Sequence, residues 1–259
     1  MASATTIAKD FKSYLGLEPL GLHYTDSPPA NARSVKTPGS GCIMPLVFAA
    51  TKGKPVSFGP DSSGWPCSAF YLGFKDWIYQ GIEKYLSHGT LPGRKCKRFV
   101  RTPAQAKQYL ESFRLPAPSQ GMAVFKPLRL FADEEPPEVA IFFADPDQLS
   151  GLVFLLHYDA PVADDRIVAR FASACCSVSA LPLRYAWSGE RKAVWGFHDI
   201  SARVRLPRDL ATMAMPYFLL QELHPFLGKS FLTTKNWRTL ARRSAKAAGK
   251  ELTDENSPL

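Results

Sequence analysis

Five cysteines, Cys42, Cys67, Cys96, Cys175 and Cys176, are the residues of this 259-residue chain best suited to carry chemistry. Their number is odd, and the chain opens on Met-Ala-Ser-Ala-Thr-Thr-Ile-Ala-Lys, without the basic start and apolar run of an export signal. Reduced thiols are therefore expected rather than a disulfide framework. Cys42 follows Pro38-Gly39-Ser40-Gly41 and Cys67 follows Gly64-Trp65-Pro66, each at the predicted first turn of a helix. Unpaired backbone N–H groups and the helix dipole favour a thiolate there, and the glycines let backbone approach an anion closely. Cys175 also lies near a predicted helix start. Brought together, these three sulfurs would make a small electropositive pocket for redox chemistry, for a small ligand or cofactor, or for a soft metal or iron–sulfur centre. The plainer reading of a free Cys is a small buried hydrophobe. There is no Cys-x-x-Cys, His-Glu-x-x-His or His-x-His, which excludes a zinc ribbon. Cys175 and Cys176 are adjacent, so at most one points inward on either a helix or a strand.

His198, Asp199 and Arg203 form a second constellation. In an extended segment His198 and Ile200 share one face, leaving Asp199 on the other, where it pairs with Arg203 as a buried structural ion pair. In the functional alternative, Asp199 and Arg203 line a ligand pocket and the guanidinium reads a carboxylate or phosphate. The candidate ligand-binding or redox residues are thus Cys42, Cys67, Cys175, Asp199 and Arg203, with the three cysteines also the candidate metal ligands. The chain holds no nucleophile elbow, Walker loop or dinucleotide fingerprint, so no catalytic residue is assigned.

The elements that must position these residues follow from periodicity and punctuation. Thr5 or Thr6 caps a first helix with Ile7, Phe11 and Leu15 on one face. Residues 20–24 read as a strand and 27–40 as a loop. A helix over 42–52 turns Ile43, Leu46, Val47 and Ala50 inward and ends at Gly53. Pro66 opens a long helix to residue 87, with Phe70, Phe74, Trp77, Ile78, Ile82 and Tyr85 as its apolar set. Thr102-Pro103-Ala104-Gln105 is a capping box, and Asp145-Pro146-Asp147-Gln148 opens another capped helix to about 156. Strands are expected over 122–131, 138–143, 166–171, 194–198 and 210–215, and helices over 173–181 and 216–223. Residues 237–248 fit a basic amphipathic helix, followed by a tail expected to be disordered. A helix-rich first half and a mixed second half make the fold class α+β, one domain over 1–259 with a candidate seam near 115–121.

Several short stretches resemble the uncharacterised ArCR family, a domain of unknown function. They are Gly41-Cys42-Ile43 with Ala49, Ala50 and Gly53; Cys67 with Leu72-Gly73-Phe74; Phe125-Lys126-Pro127-Leu128; Asp145-Pro146-Asp147-Gln148-Leu149; Cys175 before Leu181-Pro182; Gly196-Phe197-His198-Asp199-Ile200-Ser201-Ala202-Arg203; and Met215-Pro216-Tyr217. Their order over residues 15–240 carries the resemblance. It implies no activity, and with no Cys near Gly196 it implies no four-cysteine cluster.

The net charge of +9 is local. Residues 94–101 hold five cations and 229–250 hold seven, neither with an acid, and without them the rest of the chain is −3. This weakens the case for a whole-surface polyanion binder. It leaves, as the alternative function, nucleic-acid binding by the basic loop 94–101 and the basic tail 229–250, with Phe99 and Trp237 to stack on bases. No run approaches the roughly 18 apolar residues of a membrane span. The sequence thus reads as a cytoplasmic protein that binds a small ligand or cofactor at its cysteines, away from membranes.

Overall fold

The computed structural model describes residues 2–34, 42–60, 66–89, 96–161, 165–247 and 249. Alternation of side chains along the strands gives each one two different faces to bury, and the chain buries both. The first helix, α1 (Ala4–Leu15), is capped by Ser3, whose hydroxyl accepts from the Thr6 N–H, and it buries Ile7, Phe11 and Leu15. The cap thus lies two residues before the expected Thr5, while the buried face is the expected one. Strands β1 (Leu20–Thr25) and β2 (Arg33–Ser34) follow, then α2 (Met44–Ala50) and β3 (Val56–Phe58).

The long helix expected over 66–87 is two short ones, α3 (Pro66–Tyr71) and α4 (Ile82–Leu86). Gly73 adopts a left-handed φ of 76°, and a Cβ there would meet the Pro116 carbonyl oxygen at 2.7 Å. The chain turns at this residue, where only glycine fits. Phe70, Ile78 and Ile82 are still buried, but Trp77 is 58% exposed. An apolar set of the right composition here comes from separate turns.

Helix α5 (Pro103–Glu111) carries the reciprocal capping box between Thr102 and Gln105. Strands β4 (Met122–Pro127) and β5 (Val139–Ala144) flank a 3-10 turn at Leu128–Leu130, and α6 (Pro146–Leu156) starts at the box formed by Asp145 and Gln148. Then come β6 (Ile167–Val168), α7 (Ala174–Val178), α8 (Ala180–Ser188), β7 (Ala193–Gly196), α9 (Ile200–Arg203), β8 (Ala211–Pro216), α10 (Tyr217–Leu223) and α11 (Lys235–Ala247). The extended reading of residues 199–203 does not hold, because Asp199 caps α9. The helix expected over 173–181 is divided at Ser179 into α7 and α8, and α8 runs on to Ser188 with Pro182 in its first turn, where a missing N–H costs little.

Among the described residues the eight strands form one mixed sheet in the order β2-β3-β4-β1-β5-β8-β7-β6. Strand β1, from the start of the chain, lies between β4 and β5, about a hundred residues further on. Leu20, Leu22, Tyr24, Phe125, Val139 and Ile141 point to one face, against α2 to α5, α7 and α8. Ala140, Phe142, Met213 and Met215 point to the other, against α1, α6, α10 and α11. Helices on both faces of a mixed sheet make this an α+β fold.

Candidate functional site

Cys42 lies two residues before α2, and its sulfur accepts a hydrogen bond from the Met44 N–H at 3.5 Å. Cys175 is the second residue of α7, whose cap is Ser173. Packing of α2 and α7 on the same face of the sheet brings the two sulfurs together, and the Cys175 thiol donates to the Cys42 sulfur. The Cys42 thiol is held below its ordinary range, first by that bond. Burial opposes the shift, the Met44 N–H and the Arg205 cation assist it, and the Asp199 carboxylate works against it. Cys175 is pushed well up, first by donating to Cys42, then by its own burial and the negative charges around it. The pair is thus asymmetric. Half-buried Cys42 is the more acidic thiol and buried Cys175 the less acidic one.

Cys67, exposed at the start of α3, is near enough for its charge to be felt by Cys175 and by Tyr71. All five cysteines are reduced thiols. The three helices concerned are only seven, six and five residues long, so a direct N–H contact and a neighbouring thiol act on Cys42 where a long dipole was expected. The loop residues Pro38-Gly39-Ser40-Gly41 and Gly64-Trp65 lie outside the described residues. Cys175 and Cys176 are both buried, against the expectation that at most one points inward, because the short α7 is packed by the sheet on one side and by α3 and α8 on others; burial pushes the Cys176 thiol up, and Cys96 lies on the partly buried loop before Lys97. Among the described residues no group of three or more His, Cys, Asp or Glu is placed to hold a metal ion.

Asp199 sits at the edge of the pair. One carboxylate oxygen accepts from the Ser201 N–H at 2.9 Å and from its hydroxyl at 2.6 Å, and the other accepts from the Ala174 N–H at 3.4 Å, joining α9 to α7. Arg203 does not pair with it. Its guanidinium donates to the carbonyl oxygens of Leu210 and Arg208 and lies 4.7 Å over the Phe197 ring, which fixes the turn into β8. The Asp199 carboxylate is thus close enough to be felt by both thiols, whereas the Arg203 guanidinium is taken up by carbonyl oxygens and does not form the expected ion pair with Asp199. His198 is exposed, its Nε2 3.1 Å from the Trp195 carbonyl.

The approach to α7 is strained. Phe197 is buried with a left-handed φ of 76°, a conformation costly for a bulky residue, and its N–H donates to the Ser177 hydroxyl at 3.4 Å. A Cβ on Gly196 would collide with Ser177 and Thr212. Sequence reasoning missed Arg205, which stands near Cys42, and a buried hydroxyl cluster beside Cys176. In that cluster the Ser173 N–H donates to the Tyr109 hydroxyl at 2.6 Å, and the hydroxyls of Tyr71, Tyr109 and Ser173 are bonded together. Ser173 was legible as a helix cap, but Tyr71 and Tyr109 carry no local mark beyond apolar spacing.

Several residues of the basic segments are tied into the body of the chain. Lys97 donates to the Ser201 hydroxyl at 2.8 Å and lies 4.9 Å over the Phe99 ring, which ties the described part of loop 94–101 to α9. Arg94 and Lys95 lie outside the described residues. Trp237 is 4% exposed, and its indole N–H donates to the Tyr14 carbonyl at 2.8 Å. It is therefore not a base-stacking surface. Arg243 pairs with Asp147 on α6, so α11 docks on the body of its own chain. Residues 250–259 lie outside the described residues.

The fold and the site define an α+β protein with a buried thiol donating to a half-buried one beneath a single sheet. The model of the family described as uncharacterised ArCR, a domain of unknown function, matches residues 12–224, and the chain belongs to that family. No curated protein and no solved structure matches it. No helix among the described residues is long and apolar enough to cross a membrane.

Proposed function

We propose that the protein is a thiol-dependent redox or small-ligand-binding protein, with Cys42 as its reactive thiolate and Cys175 as the partner thiol. The observation that supports this is the hydrogen bond from Cys175 to Cys42, between residues far apart in sequence and of unequal burial. A thiolate is the nucleophilic form of cysteine, and half-buried Cys42 is within reach of a small molecule. With a small-molecule disulfide as co-substrate, the Cys42 sulfur attacks one of its sulfurs and releases the other as a thiolate. Cys175 then loses its proton and attacks Cys42, expelling the second thiolate and leaving a Cys42–Cys175 disulfide. Two electrons pass from the pair to the co-substrate, and the one proton that Cys175 held is released with them. Asp199 orients α7 through the Ala174 N–H, and Cys67 adds a further sulfur at the surface.

The test is the rate of iodoacetamide labelling against pH, resolved by peptide. Labelling of Cys42 below about pH 7.5, where an unperturbed thiol is mostly protonated, is the expected outcome. Uniformly slow labelling of the native protein would overturn the proposal. Anaerobic purification with an absorption spectrum and elemental analysis separates this dithiol from a soft-metal or iron–sulfur centre using the same sulfurs.

A further inference from the structure

A second site lies at the end of β5, away from the sulfurs. A cavity of about 540 Å³ is lined there by Glu138, Asp133, Trp187, Tyr217, Phe218 and Pro137, with no Lys or Arg among its described lining residues. In a chain of net charge +9, this cavity carries two carboxyl groups and three aromatic rings. The carboxyl of Glu138 is only half satisfied. Its Oε1 accepts from the Tyr24 N–H at 3.5 Å, while Oε2 is buried without a hydrogen-bond partner. One oxygen of Asp133 accepts from the Ala4 N–H at 3.3 Å, and the carboxylate is close enough to Tyr217 to be felt by its phenol.

A buried carboxyl with an idle oxygen is costly unless a donor or a positive charge meets it. Aromatic faces beside a carboxylate attract cations and give no comparable gain to a neutral or anionic guest. The volume is that of a small-molecule pocket. We infer that this cavity binds a small organic cation, an alkylammonium or quaternary ammonium group held between the rings of Trp187 and Tyr217 and the Glu138 carboxylate. Burial pushes the Glu138 carboxyl up to about 7, so a bound cation would favour its ionised form.

The probes are choline, butylammonium and the uncharged carbon isostere of choline, titrated into the full chain by calorimetry at about pH 8, above the range in which Glu138 protonates. We expect saturable binding of at least one cation, about tenfold weaker for the uncharged isostere and about tenfold weaker in Glu138→Gln and in Trp187→Ala. Equal affinity for choline and its isostere would overturn the inference, as would unchanged binding by Glu138→Gln or no saturable binding of either cation. Should Trp187→Ala fail to fold by circular dichroism, Glu138→Gln and the isostere decide the matter, since the amide keeps the shape of the carboxyl.

Discussion

The side chains of Cys42 and Cys175 are hydrogen-bonded to each other although α2 rests on β3 and β4 and α7 on β7 and β8, because all four strands belong to one sheet. A thiol is ordinarily a weak donor, but a bond removed from water is strengthened, and here it joins the Met44 N–H and Arg205 in holding negative charge on Cys42. The buried partner is the thiol pushed up, by that bond and by its burial. This division of labour makes each thiol separately testable.

Cys175→Ala removes the donor and should move the labelling midpoint of Cys42 up toward that of an ordinary thiol. Cys175→Ser keeps a hydroxyl in the same place and should retain most of the depression. Labelling rates of Cys42 against pH in the two variants measure this, with equal midpoints speaking against the hydrogen bond.

The strand end that supports α7 tolerates no added atom. Gly196→Ala would drive a methyl group into Ser177 and Thr212, and overpacking of this kind costs about 1–3 kcal/mol. Because Ser177 is on the same helix as Cys175, the substitution should also slow labelling of Cys42 at neutral pH. Urea denaturation and the same labelling assay report the two effects.

His23 on β1 and Glu138, just before β5, give opposing pH dependences. His23 is held down at about 4, from 6.5, chiefly by burial and next by Lys126, so its contribution to stability is present above pH 6.5 and is lost as pH falls through 4. Glu138 is raised from 4.5 to about 7 by burial, so its contribution is present below pH 4.5 and is lost as pH rises through 7. Relative to the parent protein, His23→Gln should gain stability on the acid side and Glu138→Gln on the neutral side, each by on the order of 1–2 kcal/mol. Urea midpoints across this pH window check the opposite signs.

Trp237 is the anchor of α11. Its ring lies against Gly151 of α6, where a Cβ would collide with it, and its N–H reaches the Tyr14 carbonyl. Trp237→Phe should cost about 1 kcal/mol for the lost hydrogen bond, and Trp237→Ala about 3–5 kcal/mol for the cavity. Thermal unfolding of both variants measures the difference, and an unaltered midpoint in Trp237→Ala would mean that α11 is not packed as described.

What the residues alone determined was local. Ile7, Phe11 and Leu15 mark the buried face of α1, and the boxes at Thr102–Gln105 and Asp145–Gln148 open α5 and α6, because caps and periodicity act within a few residues. That Cys42 and Cys175 precede or begin helices was legible for the same reason. Only the tertiary structure decided that these two sulfurs meet, that Arg203 turns to carbonyls and not to Asp199, that Trp237 is buried, that Gly73 splits the helix expected over 66–87, and that Glu138 keeps an oxygen idle in a cavity. Each of these depends on the sheet order that brings distant segments together, and the energy of such a contact belongs to both partners and is written in the local sequence of neither.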